Sequence, residues 1–284
     1  MHKRTAILAS AATLAAVAAI GAIVAAAIVY GGLYDVATTK QHLQPTFSVM
    51  ERAMRQSVRL RASDIAEPPL ADERMALRGA GCYRDSCVQC HGAPGVAQAD
   101  IGLGMQPLPG PLVDAPRHWR PRELYWVTRH GLKMTGMPAW QYRLTEQELW
   151  DVVAFLQRLP QLNAAQYGEW MARAPVAPAC GVERMRAPAT LPGDAERGRN
   201  ALYQYACNAC HSIPRVTGSK ALVGPPLEGF ANRKLIAGTL ANTPEGVVQW
   251  LRETQKVKPG TAMPQLEVAE QDARDIAAYL ATLR

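Results

Sequence analysis

The sequence predicts a mainly α-helical protein, with a long apolar helix at its N-terminus followed by two tandem helical domains built on one pattern. Three observations predict it. Residues Ala6 to Tyr34 carry no charged side chain, and one order of features occurs twice between residues 67 and 284. The last segment of each copy also has helical periodicity, with Leu149, Val152, Val153 and Leu156 in one and Ala273, Ile276, Ala277 and Leu280 in the other.

The apolar run follows His2, Lys3 and Arg4 and, at about 1.5 Å per residue, is long enough to span a ~30 Å hydrocarbon core. The leading basic residues are expected to stay in the cytoplasm and send the rest of the chain across the membrane. A cleaved signal peptide is the competing reading, with Ala25, Ala26 and Ala27 as a cleavage site. The run is longer than an ordinary signal-peptide core, which favours a retained anchor.

The formal charge of +7 is uneven: +4 over residues 1–66, 0 over 67–165, +1 over 166–187 and +2 over 188–284. The excess therefore lies beside the apolar run, where a membrane surface explains it better than nucleic acid. Residues 35–66 are expected to form a juxtamembrane segment whose amphipathic helix, Pro45 to Ala62, either lies near the headgroups or presents a plain solvated face. Arg52, Arg55 and Arg59 share one of its sides. The expected divisions are 1–34 for the cytoplasmic N-terminus and anchor, 35–66, a first domain over 67–163, a linker over 164–187 and a second domain over 188–284.

The first copy runs from a helix over Asp72 to Tyr83 through Cys87-Val88-Gln89-Cys90-His91, Gly110-Pro111-Leu112 and Gly136-Met137-Pro138 to a closing helix capped by Thr145 and Glu148. The second repeats this with Asp194 to Tyr205, Cys207-Asn208-Ala209-Cys210-His211, Gly224-Pro225-Pro226-Leu227 and Ala262-Met263-Pro264 before its closing helix.

On a helical turn the cysteines of a CxxCH string are i and i+3 and the histidine is i+4, so all three side chains leave one face. Two thioether bonds to one haem and an imidazole on its iron are then geometrically compatible, and the string is the c-type haem attachment signature. A thioredoxin-like CxxC would need a βαβ context, and a zinc site a second ligand pair close by. Cys87, Cys90, His91, Cys207, Cys210 and His211 are therefore the expected residues of two covalent haem c groups. Met137 and Met263, each followed by proline about fifty residues after its histidine, are the expected sixth ligands. His42, His118 and His130 are weaker candidates.

Cys82 and Cys180 are left over, and an exported chain would pair them in a disulfide. The alternative is that both are small buried apolar residues.

With these residues in place, both copies resemble class I cytochrome c domains, over about 67–162 and 190–284. In that family a glycine and an aromatic on the first helix pack against the last. Gly79 and Tyr83 stand eight and four residues before Cys87; Tyr203 stands four before Cys207, but Gly198 nine before it, which leaves that crossing contact open. The family also orients the haem histidine through a proline carbonyl, and Pro225 matches; Gly110 stands there in the first copy, leaving its acceptor open. The second copy also resembles cytochrome c domains attached to haem-copper oxidases. The whole layout is similar to membrane-bound dihaem cytochromes of bacterial respiratory chains.

The resemblance implies single-electron transfer at the periplasmic face of a bacterial inner membrane, from a quinol-oxidising complex or dehydrogenase to a terminal oxidase, either as a carrier or as a complex subunit. No nucleic acid and no small-molecule substrate are expected. A dihaem peroxidase or an electron-accepting dehydrogenase subunit is the alternative; it would need an exchangeable axial position, whereas the sequence offers a Met-Pro for each haem.

Overall fold

The computed structural model describes residues 2–181, 191–218 and 223–284. The part of the expected linker from residue 182 onward lies outside them. The fold is mostly helical and divides into two compact units, Met1–Cys180 and Gly181–Arg284.

The N-terminal helix His2–Tyr30 is solvent-exposed over residues 3–30, and its Lys3–Tyr30 stretch is long and apolar enough to cross a membrane. Residues 31–43 lead to a second helix, Gln44–Ala62, which starts with Pro45 in its first turn. This second helix does not stand free. It packs on the helix Pro121–His130 and buries Val58 and Ala62. Its Arg55 guanidinium lies 5.0 Å from the Trp119 ring centroid, and Arg122 donates to the Ser63 carbonyl just beyond the helix at 2.9 Å. The juxtamembrane segment is thus part of the first unit, because its narrow apolar stripe finds a partner helix. Leu43, Val49, Arg52, Arg59 and Leu60 stay exposed.

At the centre of the first unit, an opening helix Glu73–Ser86 crosses a closing helix Glu146–Arg158. Asp72 caps the former, accepting from the Arg74 amide, and Thr145 with Glu148 forms a capping box at the latter. The helices approach so closely that a Cβ at Gly79 would overlap the carbonyl of Asp151. Tyr83 packs on Phe155 with ring centroids 5.3 Å apart. The Asp151 carboxylate, buried beneath the crossing, accepts from Arg78 Nε at 2.8 Å and from the Gln147 amide at 2.9 Å.

The segment expected to begin the linker is instead a helix, Ala164–Arg173, laid against the opening helix. Tyr167 and Trp170 face Phe155, and aromatic burial outweighs the freedom of a loose connection. The chain continues along the unit, where Arg84 donates to the Pro175 carbonyl and the Ala179 amide to Asp85. Cys82, fully buried, and Cys180 are joined by a disulfide across a separation of 98 residues.

The second unit repeats the crossing with Ala195–Gln204 and Glu270–Leu280, and Pro244–Arg252, capped by Thr243, packs on the closing helix. A two-residue ladder, Leu235–Ile236 with Leu240–Ala241, leads into that helix. Gly198 lies against the carbonyl of Asp275 and Arg197 pairs with its buried carboxylate, as Gly79 and Arg78 do with Asp151. The crossing left open by counting from the cysteine is therefore present.

The aromatic expectation fails at Tyr203, which is 65% exposed. Counting four residues from the crossing glycine gives Leu202, 2% exposed, in the place Tyr83 holds in the first unit. The additional residue is taken up after the helix, where Ala206 adopts a left-handed conformation with φ 53°. Tyr205 turns inward instead and donates to Asp272 at 2.8 Å.

Candidate haem sites

Each CxxCH string follows closely on its opening helix. In the first unit Cys87 ends the helix and Val88–His91 forms one further turn. In the second, a short 3-10 turn Cys207–Ala209 follows Ala206. The turns close alike: the amides of Cys90 and His91 both donate to the Cys87 carbonyl at 3.1 and 2.9 Å, and those of Cys210 and His211 to the Cys207 carbonyl at 3.2 and 2.9 Å. The i, i+3, i+4 arrangement that thioether attachment needs is thus built by backbone hydrogen bonds.

Both histidines are oriented through Nδ1. His91 Nδ1 lies 2.7 Å from the Gly110 carbonyl, and His211 Nδ1 lies 2.7 Å from the Pro225 carbonyl. A carbonyl can only accept, so Nδ1 carries the proton and Nε2 keeps its lone pair for a metal. This hydrogen bond fixes the tautomer and makes the imidazole a stronger donor. The acceptor left open in the first copy is Gly110. Burial pulls the His91 imidazole below its ordinary pKa, and the Gly110 carbonyl works in the opposite direction.

Gly224 has a separate role. A Cβ there would run into the His211 ring, so the imidazole lies over a backbone that only glycine can supply at this distance. Among the thiols, burial first, and the neighbouring cysteine second, pushes Cys87 up to about 12. Burial likewise pushes Cys207 up to about 11, its backbone hydrogen bond opposing this and Cys210 adding to it.

The two methionines are half-buried in the stretches before the closing helices. The Met137 amide donates to Thr135 Oγ1 at 3.0 Å, and its carbonyl and that of Pro138 pack against Gly131, which ends the preceding helix with φ 65°. Met263 packs against the second core, and the Gln255 amide donates to the carbonyls of Thr261 and Met263 at 3.0 and 2.7 Å. Sequence reasoning missed Gln255, and also Met105, whose sulfur lies against Gly136, the residue before Met137. Neither belongs to a repeated string, so no spacing pointed to them.

Of the weaker histidine candidates, His42 contacts the Tyr34 hydroxyl through Nδ1 and His130 lies beside Trp126, ring centroids 4.9 Å apart. Thr254 Oγ1 donates to the Trp250 carbonyl as Thr128 Oγ1 does to that of Leu124, which puts buried Trp250 in the role of Leu124.

Two helical domains, each built on a glycine-crossed helix pair with a carbonyl-oriented CxxCH histidine, define the class of c-type haem proteins. Comparison with known proteins agrees. Residues 74–156 match the family described as cytochrome c oxidase, cbb3-type, subunit III, and residues 195–284 match the family described as cytochrome c. The chain therefore carries two cytochrome c-type domains in tandem, with the electron-transport chemistry of haem c and a link to oxidase-related cytochromes.

Among curated proteins, the chain is 34% identical over 106 residues to cytochrome c oxidase subunit 2 of Alkalihalophilus pseudofirmus, covering 36% of this chain and 30% of that protein. It is also 34% identical over 65 residues to the subunit 2 of Bacillus sp. (strain PS3), covering 22% and 18%. The chain spans less than a third of the length of these relatives.

Proposed function

We propose that this chain is a membrane-anchored dihaem c-type cytochrome. It passes single electrons at the periplasmic face of a bacterial inner membrane, from a quinol-oxidising complex or a dehydrogenase to a terminal haem-copper oxidase, and belongs to such a complex or serves it as a carrier. The observation that supports this best is the duplicated histidine geometry, Nδ1 on a backbone carbonyl at 2.7 Å in both domains.

In this reading Cys87 and Cys90 hold one haem c, and Cys207 and Cys210 the other. His91 with Met137, and His211 with Met263, would bind the iron of each. The first cytochrome domain, 67–163, is extended by the packed segment up to Cys180, and the second occupies 188–284. The haem iron supplies reversible one-electron chemistry when bound. The chain's own contribution is to fix the imidazole tautomers and to offer a thioether sulfur for each haem. Two protein donors for each iron would suit electron transfer rather than substrate turnover at iron.

The N-terminal helix is proposed to be a retained span, and the exposed Arg52 and Arg59 to face anionic lipid. Purification in mild detergent tests the reading as a whole. Mass spectrometry is expected to find two covalent haems and an intact N-terminus, and a redox titration two one-electron components. A protein with a single haem, or one trimmed after Ala27, sinks the corresponding part.

A further inference from the structure

The two domains secure the carbonyl that orients their histidines by different means. In the second, the Gly224 amide donates to the Cys210 carbonyl at 2.8 Å, and the next residue, Pro225, accepts from His211. One backbone hydrogen bond thereby stitches the orienting loop to the CxxCH turn. The corresponding residue of the first domain, one before Gly110, is Pro109, and proline has no N–H to give. The stitch cannot form there.

Gln98 stands in its place. Its side-chain amide nitrogen donates to the Cys90 carbonyl at 2.6 Å and to the Pro109 carbonyl at 2.6 Å, using both of its protons. Cys90 is the counterpart of Cys210, so the same carbonyl of the haem string is engaged in both domains. The amide orientation follows from chemistry, because turning it over would set its oxygen against two carbonyl oxygens. The half-buried side chain rests on a held backbone: the neighbouring Ala99 amide donates to the Gln89 carbonyl at 2.9 Å, and paired hydrogen bonds between Ala93 and Val96 close the turn before it.

We propose that Gln98 is the positioning residue for His91, its amide replacing the backbone donor that Pro109 lacks and holding the Gly110 carbonyl against Nδ1. The assignment rests on the haem reading above. Without the bridge the Gly110 peptide is free to turn, the hydrogen bond to Nδ1 lengthens and His91 becomes a weaker donor to ferric iron.

The test is a double-mutant cycle of Gln98→Leu and Pro109→Gly in the full-length holoprotein, with the second haem as internal reference. Gln98→Leu is expected to raise the first haem's midpoint potential relative to the second and to speed solvent exchange of the His91 Nδ1 proton, followed by NMR. Pro109→Gly restores a donor at the position that Gly224 occupies in the other domain. Gln98→Leu added to it is expected to leave both readouts unmoved. If Gln98→Leu alone prevents haem loading, recovery of loading by Pro109→Gly supports the same conclusion. Unchanged potential and exchange in Gln98→Leu, or an equal effect with and without Pro109→Gly, overturns it. Wild-type protein lacking haem on Cys87 and Cys90 overturns the haem reading itself, a failure that mass spectrometry separates from the others.

Discussion

Gly198 lies against the backbone carbonyl of Asp275, and Gly79 against that of Asp151 in the other domain, so both helix crossings depend on a missing side chain. A methyl group meets backbone in either place, and backbone cannot rotate away as a side-chain tip can. Gly79→Ala and Gly198→Ala are each expected to destabilise their own domain by about 3 kcal/mol, the upper range for overpacking. Differential scanning calorimetry of the holoprotein checks this; one transition should fall and the other stay.

Leu202 and Tyr203 separate two ways of aligning the second domain. Leu202→Ala removes a core side chain and should cost about 2–5 kcal/mol, whereas Tyr203→Ala changes an exposed residue and should stay within about 0.5 kcal/mol. Chemical denaturation of the two variants decides it, and the reverse order would mean that the register is set from the cysteine.

Met137→His and Met263→His are expected to lower the potential of their own haem, because imidazole favours the ferric state where thioether favours the ferrous. Potentiometry with each haem followed spectroscopically is the measurement. A potential that stays put at either position would point elsewhere for that ligand, and for the first domain Met105 is the side chain to examine next.

Reduction of the Cys82–Cys180 disulfide should lower the stability of the first domain by about 2–4 kcal/mol, as expected for a bond closing a long loop. The loss is restricted to that domain. The Arg173–Glu73 ion pair and the Ala179–Asp85 hydrogen bond keep part of the segment in place. Thermal unfolding with and without reductant, with the second domain as control, reads the difference.

Truncation should distinguish a docked juxtamembrane helix from a loose one. A protein beginning at Leu43 keeps the packing of Val58 and Ala62, while one beginning at Glu67 exposes Trp119 and the face of Pro121–His130. The shorter form is expected to lose about 2–3 kcal/mol in its first domain, roughly one buried valine with its surroundings. Equal melting of both forms would count against the docking.

Features carried by short-range chemistry were readable in the sequence. The CxxCH turns and the Thr145–Glu148 box involve residues within a few positions of each other, and the duplication was readable because it repeats such local strings. Contacts between distant residues were not. Gly198 could be placed only by knowing which carbonyl it meets, 77 positions away in sequence, and a left-handed Ala206 has no compositional mark. The helix Gln44–Ala62 carries only a thin apolar stripe, so its polar face suggested lipid before a partner helix. Gln98 was invisible because one glutamine in a loop has no pattern; its meaning comes from the proline eleven residues later.

The docked helix also sets a ceiling. Between Tyr30, the end of the apolar helix, and Gln44, the start of the docked one, lie residues 31–43, which fully stretched reach at most roughly 45 Å. Had the segment up to Glu67 been slack, the leash would have been more than twice as long. In the proposed reading, with the span retained, the start of the docked helix stays within that distance of the membrane surface, and the first domain is held beside the lipid.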